Sequence, residues 1–475
     1  MSFTEPLYLL YLAISVGLNR LCPARFRPAF LLVTSYAFYS TWSFEAAGLL
    51  AVLTLATFGT VALMEKSREA GKTNLACMGP AAAIVLTVYL MAFKVALLTP
   101  AHGIAGLVMP LGISYYSFRL ISYVLDVYWG KMPAEKGLVN FAAYVAFFPQ
   151  MVAGPIQRPA DFFGEMPPRP KELVQPVLRI ALGLVKKLLI ADNLAPLVNA
   201  VYGHASGFHG APLWAAFYLF PLQLYADFSG LTDIAIGSGQ LFGIRGPENF
   251  NRPLTATTVS AFWRRWHMSL TTWLTDYVFV PLRMSTRRAG VLGLNFSIAV
   301  NMVAIGLWHG LSDAFLVFGL INAVFLIVET LTSRKRAAFF KNNPEFDRPG
   351  TWLGWFVTFH LILIAEVFFR APRVSNAVWL LGHLWTGLAG SGAQLLNLID
   401  ETGTRGLAIG MVGYLILEVG ERYRPDLKVR ELYAEAPRWV RWSYNSAGAA
   451  FGILGLALLL VYTAGKRSAF LYEIF

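Results

Sequence analysis

Two histidines each follow a tryptophan, at Trp266-His267 and Trp308-His309, 42 residues apart, and both border apolar sequence of membrane type. Imidazole titrates close to neutrality, so it can both take and return a proton. Ionisable groups are costly in hydrocarbon, which makes an intramembrane histidine a functional candidate. The pair points to proton-transfer chemistry carried out inside a membrane. The other histidines lack this setting. His102, His204 and His209 lie in Gly-containing loop sequence, and His383 lies in a loop or short helix. His360 lies in an apolar run, as a helix–helix hydrogen-bond partner.

The chain that must position the pair has 475 residues, 56% of them hydrophobic and 14% charged, with a mean hydropathy of +0.54. Soluble domains carry about 25% charged residues. Apolar runs of roughly 18–22 residues recur from end to end, each long enough to cross a bilayer. Candidate spans are 6–19, 29–43, 46–64, 79–98, 105–128, 138–153, 174–198, 211–243, 289–308, 312–331, 352–371, 405–419 and 446–464. A β-barrel would show short alternating segments instead. The sequence therefore predicts an all-α polytopic membrane protein of about 11–13 transmembrane or re-entrant helices, read as one integral-membrane domain over 1–475. Segment 138–153 is short and runs into Pro149 and Gly154-Pro155, so a re-entrant course is an alternative to crossing. Segment 256–285 mixes Trp263, Trp266 and Trp273 with Arg264, Arg265 and Arg283. It reads as an amphipathic helix near the interface or lining a polar cavity, and it carries His267.

The net charge of +12 does not imply nucleic acid, because the basic residues cluster in short loops between apolar runs. Placing Arg20, Arg25, Lys66, Arg68, Arg334–Arg336 and Arg422–Arg441 in the cytoplasm puts both termini outside, with Lys466 and Arg467 slightly against it. Cys22 and Cys77 have neither metal nor redox spacing, and no metal site is expected. No cleavable leader is expected either, since Glu5 precedes the first apolar run without a basic flank.

Further polar groups interrupt apolar sequence. Gln150 lies in Phe147-Phe-Pro-Gln150, and Tyr225, Asp227, Ser229 and Asp233 lie in Leu222–Asp233. Tyr225, Ser229 and Asp233 share a helical face, and Asp227 points elsewhere. Buried carboxylates must pair or line water, so Arg252 and Arg264 are expected as their partners. A structural polar network is the competing reading for all of these. No GxGxxG, Walker A or GxSxG motif occurs, and neither cysteine has the neighbours of a nucleophile. General-base catalysis by histidine upon a hydroxyl remains. The chain closes on Phe470-Leu-Tyr472-Glu-Ile-Phe475, aromatic enough to dock in a groove or to anchor at the interface.

At these residues the sequence resembles the membrane-bound O-acyltransferases, in the bacterial branch that acetylates alginate or transfers D-alanine to teichoic acid. The resemblance rests on Phe148-Pro-Gln150 with Gly154-Pro-Ile156, Tyr225-Ala-Asp-Phe-Ser-Gly230, Asn249-Phe-Asn-Arg-Pro253, Phe262-Trp-Arg-Arg-Trp-His267 and Leu307-Trp-His-Gly310. It implies a ring of helices around a central catalytic tunnel in the bacterial inner membrane. His309 matches the principal catalytic histidine and His267 the second. Gln150, Tyr225, Asp227, Ser229, Asn251, Arg252, Arg264 and Trp308 are the supporting or substrate-binding candidates. The tail 466–475 resembles the F-x-Y-x-x-F ending in which the tyrosine, here Tyr472, accepts the acyl group for a periplasmic acetyltransferase. The expected donor is acetyl-CoA or a similar thioester, with no bound cofactor and membrane lipids as the surroundings. D-alanyl transfer to an envelope polymer, and a transporter or flippase for an acylated precursor, are the alternatives.

Overall fold

The computed structural model describes residues 3–71, 77–96, 110–152, 154–165, 173–422, 437–443 and 446, and these form helices and connections without a strand. In chain order the first helices are α1 (Pro6–Leu21), α2 (Arg27–Ser40), α3 (Phe44–Glu69), α4 (Met78–Ala96), α5 (Ile113–Tyr128), α6 (Leu138–Ala146) and α7 (Phe148–Met151). Next come α8 (Pro159–Glu165), α9 (Val174–Val185), α10 (Asp192–Gly203), α11 (Ala211–Leu241), α12 (Val259–Trp263), α13 (Met268–Leu274) and α14 (Val280–Ser285). The last are α15 (Gly290–His309), α16 (Asp313–Asn342), α17 (Asp347–Arg370), α18 (Val374–His383), α19 (Leu388–Thr402) and α20 (Thr404–Arg422).

The chain is a multi-pass membrane protein. Five helical stretches are long and apolar enough to cross a bilayer: Phe44–Glu69, Met78–Ala96, Arg287–His309, Asp313–Asn342 and Pro344–Arg370. Their large apolar side chains are turned outward in part, Val52, Val85, Leu292 and Trp352 each being more than half exposed. Such faces suit lipid, where they cost nothing, and would be liabilities in water. The other expected spans in the described residues are helical too, except that 138–153 is broken at Phe147 and 174–198 passes through a π-helical turn, Lys186–Ala191. The expected span 446–464 beyond its first residue, residues 105–109 and the tail 466–475 lie outside the described residues.

Two compact units are distinguished, the first made of the described residues of Met1–Leu184 and Leu231–Pro247. Its core is aromatic: Tyr8, Phe38, Phe147, Phe148, Phe162 and Phe242 are all buried, and neighbouring rings meet largely edge-on. Pro149 cannot continue α6, and the break leaves carbonyls without helical partners. The fully buried Arg119 takes them up. Its guanidinium donates to Tyr144 O at 2.9 Å and to Gln150 O at 3.2 Å.

The second unit comprises the described residues of Val185–Gly230 and Glu248–Tyr444. Here α15 and α16 form a tight antiparallel hairpin. A Cβ on Gly319 would lie 2.7 Å from Met302 O, and one on Gly306 would press on Phe315 O. Small residues let helix backbones approach this closely in a membrane. Ser312 caps α16, its Oγ accepting from Phe315 N–H at 3.3 Å. The hairpin therefore holds the last residue of α15, His309, in a fixed place.

Candidate active site

His309 is 5% exposed. Its ring meets Trp308 at 4.9 Å between centroids and Phe369 of α17 at 4.8 Å, both edge-on, and stacks more loosely on Phe315 at 6.0 Å. Aromatic walls on three sides fix the imidazole's orientation. It lines a narrow pocket, about 10 Å³ of free space, together with Trp263, Trp266, Asn322, Glu366 and Phe369. That is room for about one water molecule, so any substrate entering must widen it.

His267 stands at the start of α13, 1% exposed, with its ring edge-on to Phe228 at 4.7 Å and to Trp308 at 5.5 Å. Trp308 thus touches both histidines. Segment 256–285 is not the single amphipathic helix expected. It is a series of short helices, and the backbone turns sharply at His267, where φ is 43° and ψ is 51°. Among the described residues, His267 and Arg252 are the non-glycine residues in this left-handed region. Such a conformation costs about 1–3 kcal/mol and persists where surrounding contacts enforce it. The contacts here come from Asn249. Its carbonyl accepts from Met268 N–H at 2.9 Å. Its side-chain Oδ1 accepts from Ser269 Oγ at 2.6 Å, and His267 Nδ1 lies 3.4 Å away.

Burial pushes the His267 imidazole down to about 3. The folded protein therefore keeps His267 neutral while the unfolded chain takes up a proton below about 6.5. Acidification from pH 6.5 toward 3 then favours the unfolded state. It also follows that the acid limb of a pH–rate profile between pH 5 and 7 does not belong to His267. Asparagine tolerates the left-handed conformation and can donate to Asn249, so His267→Asn is expected to lower the rate without moving that limb. A limb displaced by a full pH unit in this variant would contradict the assignment.

The supporting residues divide. Trp308 sits at the centre, and Tyr225 packs edge-on against Phe250 at 5.6 Å while its hydroxyl donates to Glu421 Oε2 at 2.8 Å. Ser229 is buried on the same helix. Asp227 is not paired with Arg252 or Arg264. Its partner is Lys187, whose Nζ lies 2.8 Å from Asp227 Oδ1 and 2.9 Å from Asp192 Oδ1. Asp233, in the first unit, pairs with Arg179 at 3.0 Å. Arg252 instead lies 3.7 Å from Glu418, and Arg264 is exposed. The long, fixed reach across the π turn put Lys187 beyond what local spacing reveals. Asn251 is likewise exposed and gives its backbone N–H to Arg265 O, while Asn249 two residues earlier reaches His267. Gln150 belongs to the first unit, where its Oε1 faces Arg119 at 3.4 Å and Gly154 packs on its backbone. Tyr472 lies outside the described residues.

The model of the membrane-bound O-acyltransferase family matches residues 133–369, a stretch that includes both histidines. A probable alginate O-acetylase of Azotobacter vinelandii is 32% identical, covering 92% of this chain and 86% of the relative. The chain belongs to the membrane-bound O-acyltransferase family. This acyltransferase is also 31% identical to a probable alginate O-acetylase of Pseudomonas putida, over 99% of each chain. A teichoic acid D-alanyltransferase of Streptococcus thermophilus is 28% identical over 58% of this chain. The enzyme is an O-acyltransferase, and within the matched stretch His309 lies buried among aromatic rings in a narrow pocket that Asn322 and Glu366 also line.

Proposed function

We propose that this acyltransferase moves an acetyl group from a cytoplasmic thioester, acetyl-CoA, to a hydroxyl acceptor at His309, for O-acetylation of an exported polysaccharide. The observation that carries the reading is His309 itself, held by Trp308 and Phe369 at the edge of a narrow pocket lined mostly by apolar and aromatic side chains. In the proposed reaction His309 takes the proton from the acceptor hydroxyl. The oxygen attacks the thioester carbonyl, forming a C–O bond. Collapse of the tetrahedral intermediate breaks the C–S bond, and the thiolate leaves with the proton from the imidazolium. The thioester supplies the driving force. His267 acts through Trp308, holding the ring that packs on His309. Acetyl transfer is favoured over D-alanyl transfer because likeness to the alginate O-acetylases spans nearly the whole chain, and likeness to the D-alanyltransferase about half of it.

In this proposal the basic loops face the cytoplasm of a bacterial inner membrane and attract the anionic donor. Tyr472 accepts the acetyl group on the outer side and hands it to a periplasmic acetyltransferase. Replacing Tyr472 by phenylalanine keeps the aromatic anchor and removes the nucleophile. Polymer acetylation is expected to fall at least about ten-fold, with membrane expression unchanged, measured by ester content of the secreted polymer. A Tyr472→Phe strain with full acetylation contradicts the relay.

A further inference from the structure

Glu366 lies on α17 one turn before Phe369, the ring edge-on to His309, and lines the same pocket as His309. It is 4% exposed, and its Oε2 has no hydrogen-bond partner among the described residues. His309 and Glu366 are the two side chains lining that pocket that titrate. Asn322, which also lines the pocket, is committed at both ends, its Oδ1 accepting from Trp263 Nε1 at 3.2 Å and its Nδ2 donating to Phe318 O at 2.9 Å. Arg370, one turn further along α17, donates to Asn199 Oδ1 at 2.9 Å and lies over the Tyr202 ring. A buried polar atom left unpaired in a folded protein costs stability and asks for a reason.

We propose that Glu366 donates a hydrogen bond to the carbonyl oxygen of the acyl donor bound against His309. The inference rests on His309 being the general base. As the acceptor oxygen attacks the carbonyl carbon, negative charge grows on the carbonyl oxygen, and a donor already aimed there accelerates the step. Burying an isolated carboxylate costs far more than burying the neutral acid, and the neutral acid has an O–H to give. The proton remains on Glu366 throughout, so the bonds made and broken are unchanged. His267 does not line this pocket, and its Nδ1 lies 3.4 Å from Asn249 Oδ1.

The test uses purified full-length protein in lipid nanodiscs and transfer of label from acetyl-CoA. Glu366→Leu is expected to lower kcat by roughly 10²–10³-fold, to leave the KM for the thioester within a few-fold, and to unfold at no lower a temperature than the wild type. Glu366→Gln, which offers a neutral N–H donor of similar reach, is expected to restore kcat to within about ten-fold of wild type. Full kcat in the leucine variant overturns the proposal. So does a glutamine variant as slow as leucine, because an anion would then be what the site needs. Glu366→Met is a second apolar replacement, and failure of both apolar variants to fold marks Glu366 as structural and also overturns it. His309→Ala is run alongside. Activity retained there sinks the reading of the site as a whole, whereas loss there with full activity in Glu366→Leu sinks only the role of Glu366.

Discussion

Replacement of His309 by alanine is expected to lower acyl transfer by about 10²–10⁴-fold, the contribution of a positioned general base. The effect is chemical and not structural. His309 is the last residue of α15, so its loss interrupts no helix, and the Gly306–Gly319 crossing that sets the hairpin does not involve its side chain. Phe315 and Phe369 keep packing on one another beside the vacated space. Membrane abundance and detergent-solubilised stability should therefore stay near wild type while polymer acetylation in cells collapses. His309→Gln is the companion variant: it preserves volume and hydrogen bonding but cannot accept a proton, and it should be as inactive as alanine.

The largest effect on stability is expected at Lys187, which is 1% exposed between Asp227 and Asp192. Lys187→Met leaves two buried carboxylates without their cation. Breaking a buried ion pair from one side costs about 3–5 kcal/mol, enough to remove most folded protein from the membrane. Removing the charges together is far milder, because the penalty comes from the orphaned ions and not from the lost attraction. The triple change Lys187→Met, Asp227→Asn and Asp192→Asn should accordingly recover much of the folded yield, read by size-exclusion chromatography in detergent. Equal yields from Lys187→Met and wild type would show that the triad does not hold α10 and α11 together.

The candidate site was legible because histidine beside tryptophan is rare in apolar sequence. Trp-His twice beside membrane-type runs is a strong local signal, and the structure brings both histidines onto one tryptophan. The helices were legible for the related reason that bilayer thickness dictates run length. What stayed hidden depended on contacts between distant segments. Spacing placed Asp227 off the Tyr225 face but could not say that Lys187, 40 residues earlier, reaches it. The Asn249–Arg252 loop was visible as a motif, yet which asparagine turns inward depends on the left-handed turns at Arg252 and His267. Neither position is a glycine, so composition gave no warning of them. Glu366 reads in sequence as one carboxylate in an apolar run, although its place three residues before Phe369 puts it on the helical face that meets His309.

In the proposed reaction the pocket at His309 activates a hydroxyl against a thioester. The most direct measurement supplies labelled acetyl-CoA to purified protein in lipid bilayers and follows thiol release and label transfer together, for the wild type and for His309→Ala. The wild type is expected to release one thiol for each acetyl group transferred, and the alanine variant to do neither above background. Thiol release and transfer at the wild-type rate in His309→Ala would contradict a role for His309 as the base.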